Sequence, residues 1–180
     1  EKLVPQIAEM LGLSNEDTAT ATRAAELAKA DLATNMVVEM TSLQGIMGGH
    51  YAKRDGEPDA VAQAIAEQYE AVSKTPAGLA LALADRLDSL AGLFAVGLAP
   101  KGSNDPFALR RAAIQLVENL IGNELNFDLK QGLKTAALLL PVDVDEYKTQ
   151  KETLEFITDR LSVILQEQGY SPTTVRAVLA

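Results

Sequence analysis

The stretch Ser-Asn-Asp-Pro-Phe-Ala-Leu-Arg-Arg-Ala-Ala, residues 103–113, combines a helix start with two adjacent cations. Asp105 is a residue type that accepts hydrogen bonds from the free N–H groups of a first helical turn. Pro106 suits the first helical position, where its missing N–H costs nothing. We therefore expect a helix that begins here and runs to about residue 121, with Arg110 and Arg111 near its start.

A second segment, Leu79–Gly97, is almost entirely apolar yet carries charged side chains. Asp85 and Asp88 are three residues apart and share one helical face. Such a pair could bind a divalent cation or act in acid–base catalysis. However, so apolar a helix must be largely buried, and buried carboxylates need charged or hydrogen-bonding partners. Guanidinium groups bind carboxylates in two-pronged fashion. We therefore predict a structural ion-pair network between helix 76–96 and helix 106–121, formed by Asp85, Asp88, Arg110 and Arg111.

The other segments also show helical periodicity, which predicts an all-α fold of about eight helices. The expected helices cover residues 2–11, 14–40 (with a cap at Ser14 and Asp17), 42–54 (interrupted by Gly48-Gly49), 58–71, 76–96, 106–121, a short segment before Pro141, 147–167, and a last helix from Ser171-Pro172. The connector 141–146 is the best candidate boundary. We expect one helical domain over 1–140, and a connector with the start of a second helical unit over 141–180.

Composition limits the classes of function. The 180 residues contain no cysteine, which excludes disulfides and thiolate metal sites in this chain. The net charge of −9 disfavours a dedicated nucleic-acid module, although a local basic patch is compatible with it. The longest apolar run, Pro76 to Ala84, is too short to cross a bilayer, so we expect no membrane partner. The abrupt start at Glu1 suggests a piece of a longer protein.

Four strings in the chain resemble the middle region of one family, the beta subunit of bacterial-type glycyl-tRNA synthetase. They are Ala24–Met47 (AAELAKADLATNMVVEMTSLQGIM), Val61–Tyr69 (VAQAIAEQY), Ala82–Leu98 (ALADRLDSLAGLFAVGL) and Ser103–Ala113. Their order and spacing also match, most strongly over residues 1–140. The chain departs from the family pattern in two places. The loop Glu70–Thr75 is shorter than in most family members, and Gly49 lies near a position where they often carry Arg. Residues 37–42 favour a cyanobacterial or plastid-type member.

The resemblance implies a heterotetramer of two alpha and two beta subunits. The alpha subunit would use ATP and Mg to activate glycine, and the beta subunit would handle tRNA(Gly). The middle region would be a helical domain that resembles a degenerate HD domain. This chain would then be a non-catalytic, cofactor-free part of glycine–tRNA ligase with a scaffolding and tRNA-handling role, in the cytoplasm or in a plastid.

Two alternatives come from other classes of function. An HD-type metal-dependent phosphohydrolase needs a His, an adjacent His-Asp pair and a later Asp around a metal. The slot that resembles His-Asp reads Lys29-Ala30-Asp31, the later Asp is Asp85 or Asp88, and the single histidine is His50. One histidine does not supply the set, so we expect no metal and no catalytic residue. The other alternative is a helical protein–protein adaptor.

Three cations, Lys101, Lys53 and Arg54, are candidates for tRNA contact. Lys101 lies in the loop before helix 106–121, and a loop followed by a helix N-terminus suits an anion. Lys53 and Arg54 lie together at the end of another expected helix. For this second pair a solvated helix end is the favoured explanation.

Overall fold

The computed structural model describes residues 1–179, and within that part of the chain every regular element is helical. The all-α prediction is therefore confirmed, with ten α-helices instead of about eight. Two 3-10 turns, Ala30–Ala33 and Thr41–Leu43, accompany them. The helices are α1 (Leu3–Met10), α2 (Asn15–Leu27), α3 (Asn35–Glu39), α4 (Ile46–Arg54), α5 (Asp59–Glu67), α6 (Pro76–Ala95), α7 (Leu109–Gly122), α8 (Leu129–Leu138), α9 (Glu146–Glu167) and α10 (Pro172–Leu179).

Helix α6 is the centre of the bundle. It contacts α1, α2, α5, α7, α8 and α9, which explains why its sequence is apolar on nearly every side. The Thr75 hydroxyl accepts a hydrogen bond from Gly78 N at 3.1 Å, and Pro76 occupies the first helical position. Gly97 follows the helix with φ 74°, the left-handed conformation that commonly ends a helix and that glycine adopts readily.

Helix α7 begins later than the sequence predicts. Its first residue is Leu109, and Ala108 precedes it with φ 54°. Asp105 is nevertheless the cap, because its two carboxylate oxygens accept from Leu109 N at 2.9 Å and from Arg110 N at 3.0 Å. Pro106 therefore lies in the turn between cap and helix, and is not the first helical residue.

The single long helix predicted over 14–40 is wrong. Helix α2 starts at the predicted Ser14 cap but ends at Leu27, and Lys29 follows with φ 67°. The chain then turns so that the buried carboxylate of Asp31 accepts from Gly45 N at 2.7 Å and from Gly48 N at 3.2 Å. Asp31 thus caps α4 from fourteen residues upstream, which requires a break that helical periodicity does not reveal.

The Gly48-Gly49 pair does not interrupt α4, contrary to the prediction. A Cβ at Gly48 would lie 2.8 Å from the Ile65 side chain, and one at Gly49 would lie 2.7 Å from the Ala62 carbonyl oxygen. Both contacts are shorter than real Cβ atoms make. These glycines therefore allow α4 and α5 to pack closely.

The predicted long helix over 147–167 is confirmed by α9, which packs on α6, α7 and α8. The Phe94 and Phe156 rings meet with centroids 5.3 Å apart, and Ile157 belongs to the main hydrophobic core. The boundary drawn at residue 141 stays a prediction, as does the resemblance of the bundle to an HD domain. Residue 180, at the end of the second predicted unit, lies outside the described residues.

The short loop Glu70–Thr75 is organised by one buried carboxylate. Glu67 Oε2 accepts from Lys74 N at 3.0 Å, from Thr75 N at 2.9 Å and from the Thr75 hydroxyl at 2.9 Å. Its Oε1 accepts from the Gln63 amide at 2.8 Å. Burial alone would raise the pKa of Glu67, but these hydrogen bonds outweigh it and hold the pKa below its ordinary value.

We predict that Glu67→Gln destabilises the fold by about 1–3 kcal/mol at neutral pH, because a neutral amide replaces a charged acceptor of several hydrogen bonds. The lowered folded-state pKa means that the Glu67 contribution is present above the unfolded pKa of 4.5 and is lost as the pH falls through the folded value. Urea unfolding between pH 3 and pH 7 should show a weaker pH dependence in the variant than in the wild type. The exposed neighbour Glu70→Gln is the control, and equal behaviour of the two variants would contradict this role of Glu67.

Candidate functional site

The charged centre of the bundle is Asp85, on α6. Its Oδ1 forms an ion pair with Lys29 Nζ, and its Oδ2 lies 2.6 Å from Arg86 Nη1. The Asp85 side chain is only 15% exposed, so both carboxylate oxygens are satisfied by cations within the protein. The left-handed backbone at Lys29, where α2 ends, places its ammonium group on this carboxylate.

Arg86 continues the network toward α7. Its side chain is 3% exposed, its Nη2 donates to Gln115 Oε1 at 3.0 Å, and its guanidinium lies 5.6 Å from the centroid of the Tyr69 ring. Gln115 in turn donates to the Tyr69 carbonyl at 3.3 Å. We call the set Lys29, Asp85, Arg86, Tyr69 and Gln115 the central polar network; it joins α2, α6, α7 and the end of α5.

The four residues of the predicted network do not come together. Asp88 is exposed, Arg111 is exposed, and Arg110 pairs with Asp105 at 3.7 Å while donating to the Gly102 carbonyl. Within residues 1–179 no ion pair joins either aspartate to either arginine. The predicted link from α6 to α7 exists, but Arg86 and Gln115 form it.

Asp85 and Asp88 do not meet Arg110 and Arg111 because the face of α6 that carries the aspartates does not point toward α7. Asp85 and Asp88 do share a face, as their spacing indicates, but both line a cavity beside Lys29 at the end of α2. Arg86 lies on the face toward α7, level with Gln115. Arg110 is five residues before Gln115, which places it roughly 7 Å away along the helix axis.

The charge states of this network follow from its contacts. Burial alone would lower the pKa of Lys29, but Asp85 outweighs it and the net pKa lies above the ordinary lysine value. Lys29 is therefore an ammonium ion at neutral pH. Burial raises the pKa of Tyr69, so its hydroxyl keeps its proton under the same conditions.

In the segment Lys29-Ala30-Asp31, which the sequence compared with the His-Asp pair of an HD domain, the two charged residues have separate roles. Lys29, at the position that resembles the His of the pair, contacts Asp85, one of the two later aspartates considered in the sequence. Asp31 turns away to cap α4, and His50 is exposed on α4. Among residues 1–179 no group of three His, Cys, Asp or Glu side chains is arranged to hold a metal ion. An ammonium ion thus supplies the positive charge beside Asp85.

The cavity on this face has a volume of about 500 Å³ and lies between α1, α2 and α6. Lys29, Asp85 and Asp88 form its polar wall, and Gln68 also lines it. Leu81 and Leu139 belong to the apolar wall. No nucleophile with an adjacent base lies among these residues, and the Lys29 ammonium is engaged by Asp85. The arrangement suits electrostatic locking of helices.

The three cations predicted for tRNA contact are exposed, but their surroundings differ. Lys53 pairs with Asp59 at 2.9 Å, whereas Arg54 is exposed at the end of α4. Lys101 is exposed in a tight turn closed by backbone hydrogen bonds with Asn104. The helix start beyond that turn offers little to an anion, because Asp105 already accepts from two of its N–H groups. The cations available to a phosphate there are the Lys101 ammonium and the Arg110 guanidinium, whose Nη2 donates to the Gly102 carbonyl.

Sequence reasoning missed Lys29 as the partner of Asp85 and Asp31 as a cap. The position of Lys29, where an HD domain would carry His, was the feature that could have pointed to it. Its pairing with Asp85 depends on the end of α2 at Leu27, which no nearby glycine or proline marks. The signal for Asp31 was the downstream pattern of Gly45 and Gly48, whose N–H groups it binds.

We predict that Asp85→Ala lowers the free energy of unfolding by roughly 3–5 kcal/mol, because it leaves the buried Arg86 guanidinium without its carboxylate. Asp88→Ala, on the same face but exposed, should change it by less than about 0.5 kcal/mol. Urea denaturation followed by circular dichroism measures both. A large loss in Asp88→Ala with little change in Asp85→Ala would restore the network that the sequence suggested.

Comparison of the sequence with known proteins identifies its family. The family model described as glycyl-tRNA synthetase beta subunit matches residues 1–180. The glycine–tRNA ligase beta subunit of Chromohalobacter salexigens is 47% identical over 170 residues, covering 91% of this chain and 25% of the relative. Those of Citrobacter koseri and Proteus mirabilis are each 42% identical, covering 100% and 97% of this chain and 27% and 26% of the relatives. The chain belongs to the glycyl-tRNA synthetase beta subunit family.

Proposed function

We propose that this chain is a non-catalytic part of the beta subunit of glycine–tRNA ligase. It spans about a quarter of the length of the curated relatives that it matches, which are all named as that subunit. The proposed activity of the whole enzyme is the ATP-dependent joining of glycine to tRNA(Gly). In that enzyme the chain holds helices in register for tRNA handling.

The proposal assigns the chemistry to other parts of the enzyme. The alpha subunit would bind ATP, Mg and glycine, in an assembly of two alpha and two beta subunits in the cytoplasm. The word "subunit" in the names of the relatives supports the existence of a partner chain. In the described residues no helix is long and apolar enough to cross a membrane.

The observation that carries the non-catalytic role is the central polar network. Of the four residues predicted to form an ion-pair network, Asp85 has the most buried side chain. Both of its carboxylate oxygens contact cations of the protein. A general base needs a free lone pair directed at substrate. Here one oxygen of Asp85 ties the end of α2 to α6 through Lys29, and the other binds the neighbouring Arg86, which reaches Gln115 on α7. The network therefore stabilises a scaffold.

The rival function, a metal-dependent phosphohydrolase, finds no support in this geometry. The place beside Asp85 is taken by the Lys29 ammonium, and no metal-ligand group is assembled in residues 1–179. Metal analysis together with a nucleotide-monophosphatase assay tests this rival directly. Stoichiometric metal with turnover that depends on Asp85 would overturn the non-catalytic role.

The decisive experiment separates glycine activation from tRNA charging in the complete enzyme. Glycine-dependent ATP–pyrophosphate exchange reports the first step, and glycylation of tRNA(Gly) reports both steps. Surface substitutions in this chain should leave exchange unchanged while altering the KM for tRNA. Loss of exchange in a variant whose assembly is intact would contradict the assignment of the chemistry to the alpha subunit.

We predict that Lys101→Ala weakens tRNA binding by the complete enzyme and lowers the slope of log K against log salt by about 1, as expected for one lost phosphate contact. Filter binding at several salt concentrations measures both quantities. Lys151→Ala on α9 is the control, because Glu155 lies one turn away at 4.0 Å and offsets its charge. An unchanged affinity and an unchanged slope would remove Lys101 from the tRNA-binding surface.

A further inference from the structure

The cavity between α1, α2 and α6 has the size and lining of a small-molecule site. Its volume of about 500 Å³ falls within the range of roughly 300–1,000 Å³ that is usual for such sites. Leu81 and Leu139 belong to its apolar wall, and Gln68 and Asp88 lie among its polar lining residues. These side chains line one cavity, so a ligand bound there meets apolar and polar groups together.

Gln68 offers a buried hydrogen-bond acceptor to this cavity. Its side chain is fully buried, its Nε2 donates to the Ile65 carbonyl oxygen at 2.9 Å, and its Oε1 has no partner among residues 1–179. This contact fixes the orientation of the amide, because the Ile65 oxygen accepts from an N–H but not from a second oxygen. A buried carbonyl without a donor costs free energy, so a ligand that donates to it gains affinity.

Asp88 supplies a free negative charge at the exposed side of the cavity. Its side chain is exposed, and in the described part of the chain it takes part in no ion pair. Asp85 differs, because its two oxygens are taken by Lys29 and Arg86. Of the two aspartates that α6 contributes to the cavity, Asp88 is therefore the one that can still bind a cation.

The lining selects a cationic hydrogen-bond donor. An anion would be repelled by Asp88 and would compete with Asp85 for the Lys29 ammonium. A metal ion would lack ligands, since residues 1–179 hold no group of three His, Cys, Asp or Glu side chains arranged for one. Glu1 and Lys2 also line the cavity, but they are opposite in charge and favour neither sign.

We propose that this cavity binds a small aliphatic amine that carries a second N–H or O–H donor. The ammonium group pairs with Asp88, the second donor reaches Gln68 Oε1, and the methylene chain between them lies against the apolar wall. Binding leaves the central polar network intact, because Lys29 and Arg86 keep their contacts with Asp85.

Three probes of similar length test the proposal on the complete beta subunit: 4-aminobutan-1-ol, butane-1,4-diol without the charge, and butylamine without the second donor. Saturation-transfer NMR at neutral pH and constant ionic strength measures their dissociation constants. We expect roughly 1–10 mM for the amino alcohol, as suits so small a ligand. The diol should bind at least about fivefold more weakly, and butylamine at least about threefold more weakly.

A matched pair of variants locates the binding. Asp88→Asn keeps the shape of the side chain and removes its charge, so it should weaken binding of the amino alcohol at least about fivefold. Asp159→Asn on α9 is the control, because Asp159 is also an exposed helical aspartate but does not line this cavity. Circular dichroism of both variants should match that of the wild type.

Four results would overturn the proposal. They are the absence of saturable binding of the amino alcohol, equal binding of the amino alcohol and the diol, equal binding of the amino alcohol and butylamine, and equal effects of the two variants. The second and the fourth would mean that Asp88 does not select the ligand, and the third would remove Gln68 from the site. None of these measurements depends on glycylation, so they stand apart from the proposed function.

Discussion

The bundle depends on satisfying charge inside an apolar helix. Helix α6 contacts six other helices, and such a helix tolerates Asp85 and Arg86 only because each has partners. Lys29 reaches Asp85 from the end of α2, and Gln115 receives Arg86 from α7. The result is a set of directional contacts that links α6 to the end of α2 and to α7, in addition to the aliphatic packing.

Carboxylates also hold the structure together at the edges of the bundle. Glu67 gathers the N–H groups of the loop before α6, Asp31 caps α4 from a distant segment, and Asp105 caps α7 across a turn. In each case a carboxylate binds backbone N–H groups that lack a helical partner. The acidic composition of the chain is therefore partly structural, since several carboxylates are committed to folding and are not available to a ligand.

These commitments bear on function. The positions that a metal-dependent phosphohydrolase would need for its ligands hold Lys29 and Asp31, and both side chains are bound within the protein. The Lys53–Asp59 ion pair does not make Lys53 unavailable to phosphate, because both side chains are largely exposed, at 66% and 81%, and such a pair is weak.

The sequence by itself determined the helical class, several caps and the family. The cap at Ser14, the left-handed Gly97 and the long α9 depend on interactions within a few residues, so local patterns predict them. Only the tertiary structure decided which residues pair across helices and where α2 breaks. The spacing of Asp85 and Asp88 shows that they share a face but not which neighbour that face meets. The turn at Lys29 likewise exists because Asp31 and Asp85 find partners distant in sequence, and no local pattern records such contacts.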